Sequence, residues 1–142
     1  MKIKTIMTTD IVCVQMDSTL SEVKRLFENH RFHHLLVVEN SKLVGILSDR
    51  DYLKAISPNI DTAVESLKDT ASLNKRVHQI MSRDLVTLSP SAGLFKAIQT
   101  FNAHRVSCIP VINSEYQPVG ILSWRDVFKY VETKQVEKYL SK

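Results

Sequence analysis

Ser48, Arg50 and Asp51 have the most chemistry to offer, because the chain repeats them in order as Ser123, Arg125 and Asp126. Each trio closes a longer motif, Gly45-Ile46-Leu47-Ser48-Asp49-Arg50-Asp51 and Gly120-Ile121-Leu122-Ser123-Trp124-Arg125-Asp126, differing only where Asp49 becomes Trp124. The Ser-x-x-Asp spacing fits a helix capping box, in which the serine hydroxyl takes an amide proton and the carboxylate reaches back to the serine amide. That explains Ser and Asp without a ligand, but leaves the glycines and arginines unexplained. A helix start also presents unpaired amides and the positive end of the dipole, which suits an anion. An aspartate in the first turn can accept two hydrogen bonds from a ribose diol, as an acidic residue does in dinucleotide-binding folds. Arginine's planar fork suits phosphate oxygens. Together these groups would hold a ribose and a phosphate, and they offer nothing obvious for breaking a bond.

Other chemistry is thinner. His30, Arg31, His33 and His34 bring imidazoles to helical spacing, a pattern that can bind a metal. No cysteine or acidic ligand accompanies them. His30 and His104 fall where a helix should end, a favoured place for a cation beside the C-terminal dipole. No metal site is assigned. Arg31 and Arg105, one residue further on, are candidates to lean toward a phosphate. Ser48 has no histidine at a fixed spacing to activate it, and Asp49 with Asp51 suits solvent better than an acid–base division of labour. The chain reads as a binding protein and not as an enzyme. Cys13 and Cys108 occupy non-equivalent places without C-x-x-C spacing, and buried free thiols are expected.

The elements that must position these residues also come twice. Ile6-Met7 returns as Ile80-Met81, a shift of 74 that also relates Leu20 to Leu94, Phe27 to Phe101, His30-Arg31 to His104-Arg105 and Val37 to Val111. From Gly45 to Gly120 the shift is 75, so the second copy carries one extra residue near Glu115-Tyr116-Gln117, where a turn absorbs it most cheaply. Ile11–Val14 and Leu85–Leu88 are short β-prone runs. Thr19 with Glu22 predicts a capping box ahead of a helix carrying Leu20, Val23, Leu26 and Phe27; Gly93 stands at the same point of the second copy. Leu35–Val38 is a continuous apolar run, as expected of a strand buried on both faces. A polar turn leads to the motif strand, and Ser-x-x-Asp opens the closing helix. The order is β-α-β-β-α, twice. Ser57-Pro58-Asn59 ends the first closing helix, and residues 61–77 read as a partly helical connector. The last helix is expected to continue to the end, with a possible break, and to show apolar residues to a partner. The chain has three glycines, and two of them open the motif copies, where backbone must approach something closely or adopt an unusual φ.

Bulk properties bound the rest. At 142 residues, 44% apolar and 24% charged, the chain has the composition of a soluble globular protein with one core or two halves sharing one. No apolar run approaches the roughly 20 residues of a membrane span, and no signal-peptide core follows Met1, so a cytoplasmic location is expected. The net charge of +4 is spread without a basic arm or stripe, which argues against nucleic-acid binding.

The twin motifs resemble the glycine–hydrophobic–x–Ser/Thr–x–x–Asp ligand motif of the cystathionine-β-synthase (CBS) domain. Ile109-Pro110-Val111-Ile112 resembles that family's hydrophobic-Pro-Val-Val strand, and Ile6-Met7 and Ile80-Met81 its lead-in segment. The resemblance covers nearly the whole chain except the connector and the last dozen residues. It implies an α/β protein of the α+β kind: two β-α-β-β-α CBS repeats packed about a pseudo-two-fold axis. Their expected bounds are 1–56 and 79–142, the latter with the C-terminal helix, joined by a connector at 57–78. It further implies a Bateman module that binds AMP, ADP or ATP, or a related adenosyl ligand, between its halves, without a permanent cofactor. Such modules often form homodimers and regulate an effector protein. The candidate ligand residues are Gly45, Ile46, Ser48, Arg50 and Asp51 in the first copy. In the second they are Gly120, Ile121, Ser123, Trp124, Arg125 and Asp126, with Pro110, Arg31 and Arg105 beside them. Leu36 stands where the second copy has Pro110, and Trp124 faces Asp49, so the two clefts are expected to differ, one binding well and the other poorly. The competing reading is a ligand-free interaction module acting through its dimer face and C-terminal helix.

Overall fold

Thr19 opens the first helix, α1 (Leu20–Asn29), where its hydroxyl accepts the Glu22 amide at 3.3 Å. Only this half of the expected capping box forms among the described residues. The computed structural model describes residues 1–141. Leu20 and Val23 are wholly buried, and Leu26 and Phe27 pack beside them, as their helical spacing requires. β2 (His34–Glu39) and β3 (Lys42–Ser48) form an antiparallel hairpin. Its two-residue turn, Asn40-Ser41, has φ of 51° and 66°, the left-handed pair that matches strand twist. β1 (Cys13–Gln15) lies parallel to the far edge of β2, giving the order β1-β2-β3. Leu35, Leu36, Val37 and Val38 are buried, as a central strand covered on both faces should be. The chain then enters α2 (Asp49–Ala55), and the connector contains α3 (Leu67–Ala71) with 3-10 turns at Ser72–Asn74 and Val77–Gln79.

The second repeat supplies α4 (Leu94–His104), the antiparallel pair β4 (Cys108–Ile112) and β5 (Pro118–Ser123), and α5 (Trp124–Leu140). Two expectations need correction. Residues 85–88 do not form a strand: Leu88 alone pairs with Val111, through bonds of 3.1 and 3.0 Å to Pro110 and Ile112. The donor before it would be residue 110, where Leu36 of the first repeat gives its amide to Val12, and the donor after it residue 90; both are prolines, with no N–H to give. The last helix is unbroken, since nothing from Trp124 to Leu140 interrupts it. The extra residue does fall in the β4–β5 turn, where Asn113 Oδ1 accepts the amides of Glu115 and Gln117 at 3.0 and 2.9 Å.

Packing cuts across the sequence repeats. One compact unit is Val12–Leu85, the inner unit; the other is Met1–Ile11 with Val86–Lys142, the outer unit, named for their places along the chain. Each takes its lead-in segment from the other repeat. Ile3 is wholly buried in the outer core, and Thr8 bonds Ile121 both ways at 2.9 Å. In the inner unit Val77 is wholly buried, and Ser82 and Ile46 exchange bonds of 3.0 and 2.9 Å.

Candidate ligand corners

Each motif folds as a strand running into a helix N-terminus. At the outer corner Ser123 Oγ accepts the Asp126 amide at 3.2 Å, and Asp126 Oδ2 accepts the Ser123 amide at 2.9 Å. At the inner corner Ser48 and Asp51 do the same at 3.1 and 3.0 Å. Both carboxylates are half-buried. Each cap uses the Oδ2 of a group with two oxygens and about four lone pairs, so capping and sugar binding are compatible. Thr8, which the sequence reading missed, places its hydroxyl 3.4 Å from both oxygens of Asp126. Its counterpart is Ser82, one residue after Met81 as Thr8 follows Met7; this recurring hydroxyl after Ile-Met was the available signal.

The glycines answer to close approach and not to an unusual φ, since neither has positive φ. A Cβ at Gly45 would meet Met81 Sδ at 2.6 Å and the Ser82 carbonyl oxygen at 3.1 Å. At Gly120 it would meet Met7 Sδ at 2.7 Å. The twice-written glycine and the twice-written Ile-Met are therefore two halves of one contact, made between repeats.

A third capping box shows what this motif means alone. Ser66 and Asp69 form one at the start of α3, with neither the glycine nor the arginine. Hydrogen bonds from Ser57 and then Ser66 hold the Asp69 carboxyl below its ordinary value, which is complete internal satisfaction. Arg50 and Arg125 are different: both are exposed and make no ion pair among the described residues. Arg31 and Arg105 are likewise exposed, at the C-terminal ends of α1 and α4, with Arg105 at φ 53°.

Ile46 and Ile121 are half-buried and sit across the ladder from Leu36 and Pro110, which are buried. Trp124 lies elsewhere. Its ring meets Phe101 edge-on at 6.4 Å, in an apolar groove of about 220 Å³ also lined by Ile98, Asn102, Val127 and Phe128. It belongs to the helix side of the outer unit, apart from the capping groups. Asp49, its counterpart, accepts from or pairs with His33 Nδ1 at 2.9 Å. Burial lowers the His34 pKa, partly offset by Asp49 and Asp51.

No group of three or more metal-ligating side chains is assembled among the described residues. His30 stacks on Phe32 at 5.1 Å. Both cysteines are free, but Cys13 is exposed, contrary to the expected burial, because it sits on the solvent-facing side of an edge strand. Burial, with help from the Asp126 charge, pushes the Cys108 thiol up to about 12, which makes it a poor nucleophile at neutral pH.

The CBS domain profile matches residues 3–58 and 77–133, and the chain belongs to this family. It is 26% identical over 130 residues to an uncharacterized protein of Methanocaldococcus jannaschii, MJ1232, covering 92% of this chain and 39% of that protein. It is 29% identical over 121 residues to inosine-5'-monophosphate dehydrogenase of the same organism, covering 84% of this chain and 21% of the enzyme. The chain thus spans well under half the length of these relatives. Among solved structures it resembles a putative acetoin utilization protein (AcuB) from Vibrio cholerae, with a TM-score of 0.77, 25% identity and coverage of 100% and 97%. The CBS domain pair of protein MJ0100, in complex with 5-methylthioadenosine and S-adenosyl-L-methionine, gives 0.76, 21%, 94% and 98%. CBSX2 in complex with AMP gives 0.76, 19%, 94% and 98%. The chain shares the α+β fold of these solved structures. No helix among the described residues is long and apolar enough to cross a membrane.

Proposed function

We propose that this CBS pair is a regulatory module that binds an adenine nucleotide or related adenosyl ligand and signals to a partner protein, as a cytoplasmic homodimer. The observation that carries the reading is the pair of capped corners, each with aspartate lone pairs beyond those the cap uses and, one residue before it, an arginine that makes no ion pair among the described residues. The aspartate serves the ribose hydroxyls, the arginine the phosphate, and Ile46, Ile121 and Pro110 the base. The fold-level relatives solved with AMP, or with 5-methylthioadenosine and S-adenosyl-L-methionine, support this ligand class. The outer corner is the stronger of the two. It has Thr8 beside Asp126, and its helix of 17 residues keeps a fuller dipole than the seven-residue α2.

A thermal-shift panel of AMP, ADP, ATP, NAD and S-adenosylmethionine tests this. A ligand at 100 times its Kd should add about 2.7 kcal/mol of stability. Asp126→Ala should abolish most of that shift and Asp51→Ala less, each at a capping cost of about 1 kcal/mol. Flat melting curves for all five ligands would favour a ligand-free interaction module.

A further inference from the structure

Across each ladder from the capping serine stands a residue that the two repeats do not share. His34 pairs with Ser48 in the β2–β3 hairpin, and Cys108 with Ser123 in the β4–β5 hairpin. Directly opposed residues of an antiparallel pair point to one face of the sheet, with Cβ atoms about 5 Å apart. Each of the two, half-buried, therefore stands beside the cap of its own corner. Charge agrees with this placement: Asp49 and Asp51 act on the His34 ring, and Asp126 acts on the Cys108 thiol. His33, the neighbour of His34, meets Asp49 Oδ2 through Nδ1 at 2.9 Å, a hydrogen bond with a neutral ring and an ion pair with a charged one. The charges acting on His34 are those of Asp49, His33 and Asp51. On the β1 side the chain runs through Ile11 and Val12, which carry none. In the lead-in segment paired with β3, Arg83 donates to the His78 carbonyl at 3.4 Å.

With neutral imidazoles the inner corner sets Arg50 against Asp49 and Asp51, which leaves a negative charge in excess. With both rings protonated the excess is positive. At the outer corner Arg125 balances Asp126, Trp124 replaces Asp49, and Ser107 and Cys108 replace the two histidines. Imidazole is the side chain that ordinarily changes charge between about pH 5 and 8, so only the inner corner carries a proton switch of its own. We infer that the two corners sort adenosyl ligands by charge, and that His34 sets the sorting. The outer corner takes a phosphorylated nucleotide with no help from a protein proton. The inner corner takes an adenosyl ligand without net negative charge at neutral pH, and accepts phosphate once its imidazoles are charged. A phosphate beside the ring favours the charged form, so phosphate affinity rises as pH falls below about 6.5. Burial of His34 places that rise on the acid side of the ordinary histidine range. This rests on the nucleotide reading of the corners and divides their ligands.

Calorimetric titration of the full chain tests it, with Asp126→Ala leaving the inner corner to be read and Asp51→Ala the outer. If Asp126→Ala fails to fold, Asp126→Asn, which keeps an oxygen for the Ser123 amide, takes its place. The probes are AMP and 5-methylthioadenosine, which carries no phosphate, at about pH 8 and about pH 5.5. The phosphate of AMP itself titrates near about pH 6 at both corners, so the inner-to-outer affinity ratio is the quantity read. For AMP that ratio should rise about fivefold to tenfold from the higher pH to the lower, and for 5-methylthioadenosine it should stay within about twofold. His34→Cys, which copies the outer corner, should remove the rise. Excess AMP should also move the His34 titration upward in NMR spectra of Asp126→Ala, which a purely structural histidine would not show. A constant ratio for AMP, a rise that survives His34→Cys, or an equal rise for 5-methylthioadenosine would overturn the inference. Binding at the outer corner with none at the inner at either pH would also overturn it and leave the nucleotide reading standing. No binding at either corner would sink both.

Discussion

The inner and outer units start from one sequence pattern and finish their helix layers differently. The inner unit fills the space between its helices with Phe27, Phe32 and Tyr52 and roofs it with the connector. The outer unit has Val127 where the inner has Tyr52, and an open groove remains. The lesson is that a duplicated fold need not duplicate its surfaces. One copy satisfies its apolar face internally, and the other leaves the same face exposed. The corners, by contrast, form the same capping box, and differ in the Thr8 hydroxyl beside Asp126.

The sharpest way to break this comparison is to give the inner unit the outer unit's residue. Tyr52→Val removes the ring that packs on Phe27, and should cost about 2–4 kcal/mol in urea denaturation, in the range of large-to-small core changes. A loss under 1 kcal/mol would mean the connector, not the ring, holds the face closed.

The glycines sharpen the comparison next. At Gly45 a methyl group would press on the Ser82 backbone carbonyl as well as on Met81, whereas at Gly120 its three nearest neighbours all belong to the flexible Met7 side chain. Gly45→Ala should therefore cost about 1–3 kcal/mol by overpacking, and Gly120→Ala clearly less. Equal midpoints in urea would contradict this.

The smallest effect concerns protons. Burial lowers the His34 pKa, so the folded state favours the neutral ring. As pH falls through about 6.5 the unfolded chain takes up the proton first. Stability contributed by His34 is thus present above that value and lost as pH falls toward the lower folded value. His34→Cys, which copies Cys108 of the outer unit, should flatten the fall in stability between pH 7 and 5.5. An unchanged slope would show that other groups carry it.

The caps, helix faces and buried strand were legible because they are short-range. Thr19, Ser48 and Ser123 act within three residues, and Leu35–Val38 announces its burial by an unbroken apolar run. Thr8 was not legible as a neighbour of Asp126, because 118 residues separate them and only the lead-in exchange brings them together. Trp124 is a candidate ligand contact because it lies inside the motif, and the packing of its ring was not legible there. Its ring turns to Phe101 because, in the first turn of a helix, side-chain direction follows the packing partner and not the motif.

The sequence by itself determined that the chain is a tandem repeat, where its two serine–aspartate corners fall, and that a glycine opens each copy of the motif. Only the tertiary structure decided that Met81 and Met7 are the reason for those glycines, that each unit borrows its first segment from the other repeat, and which helix face stays bare. The physical cause is one of range. Periodicity and capping are written in neighbouring residues, whereas the partner of a buried surface is chosen among distant segments by which of them can cover it.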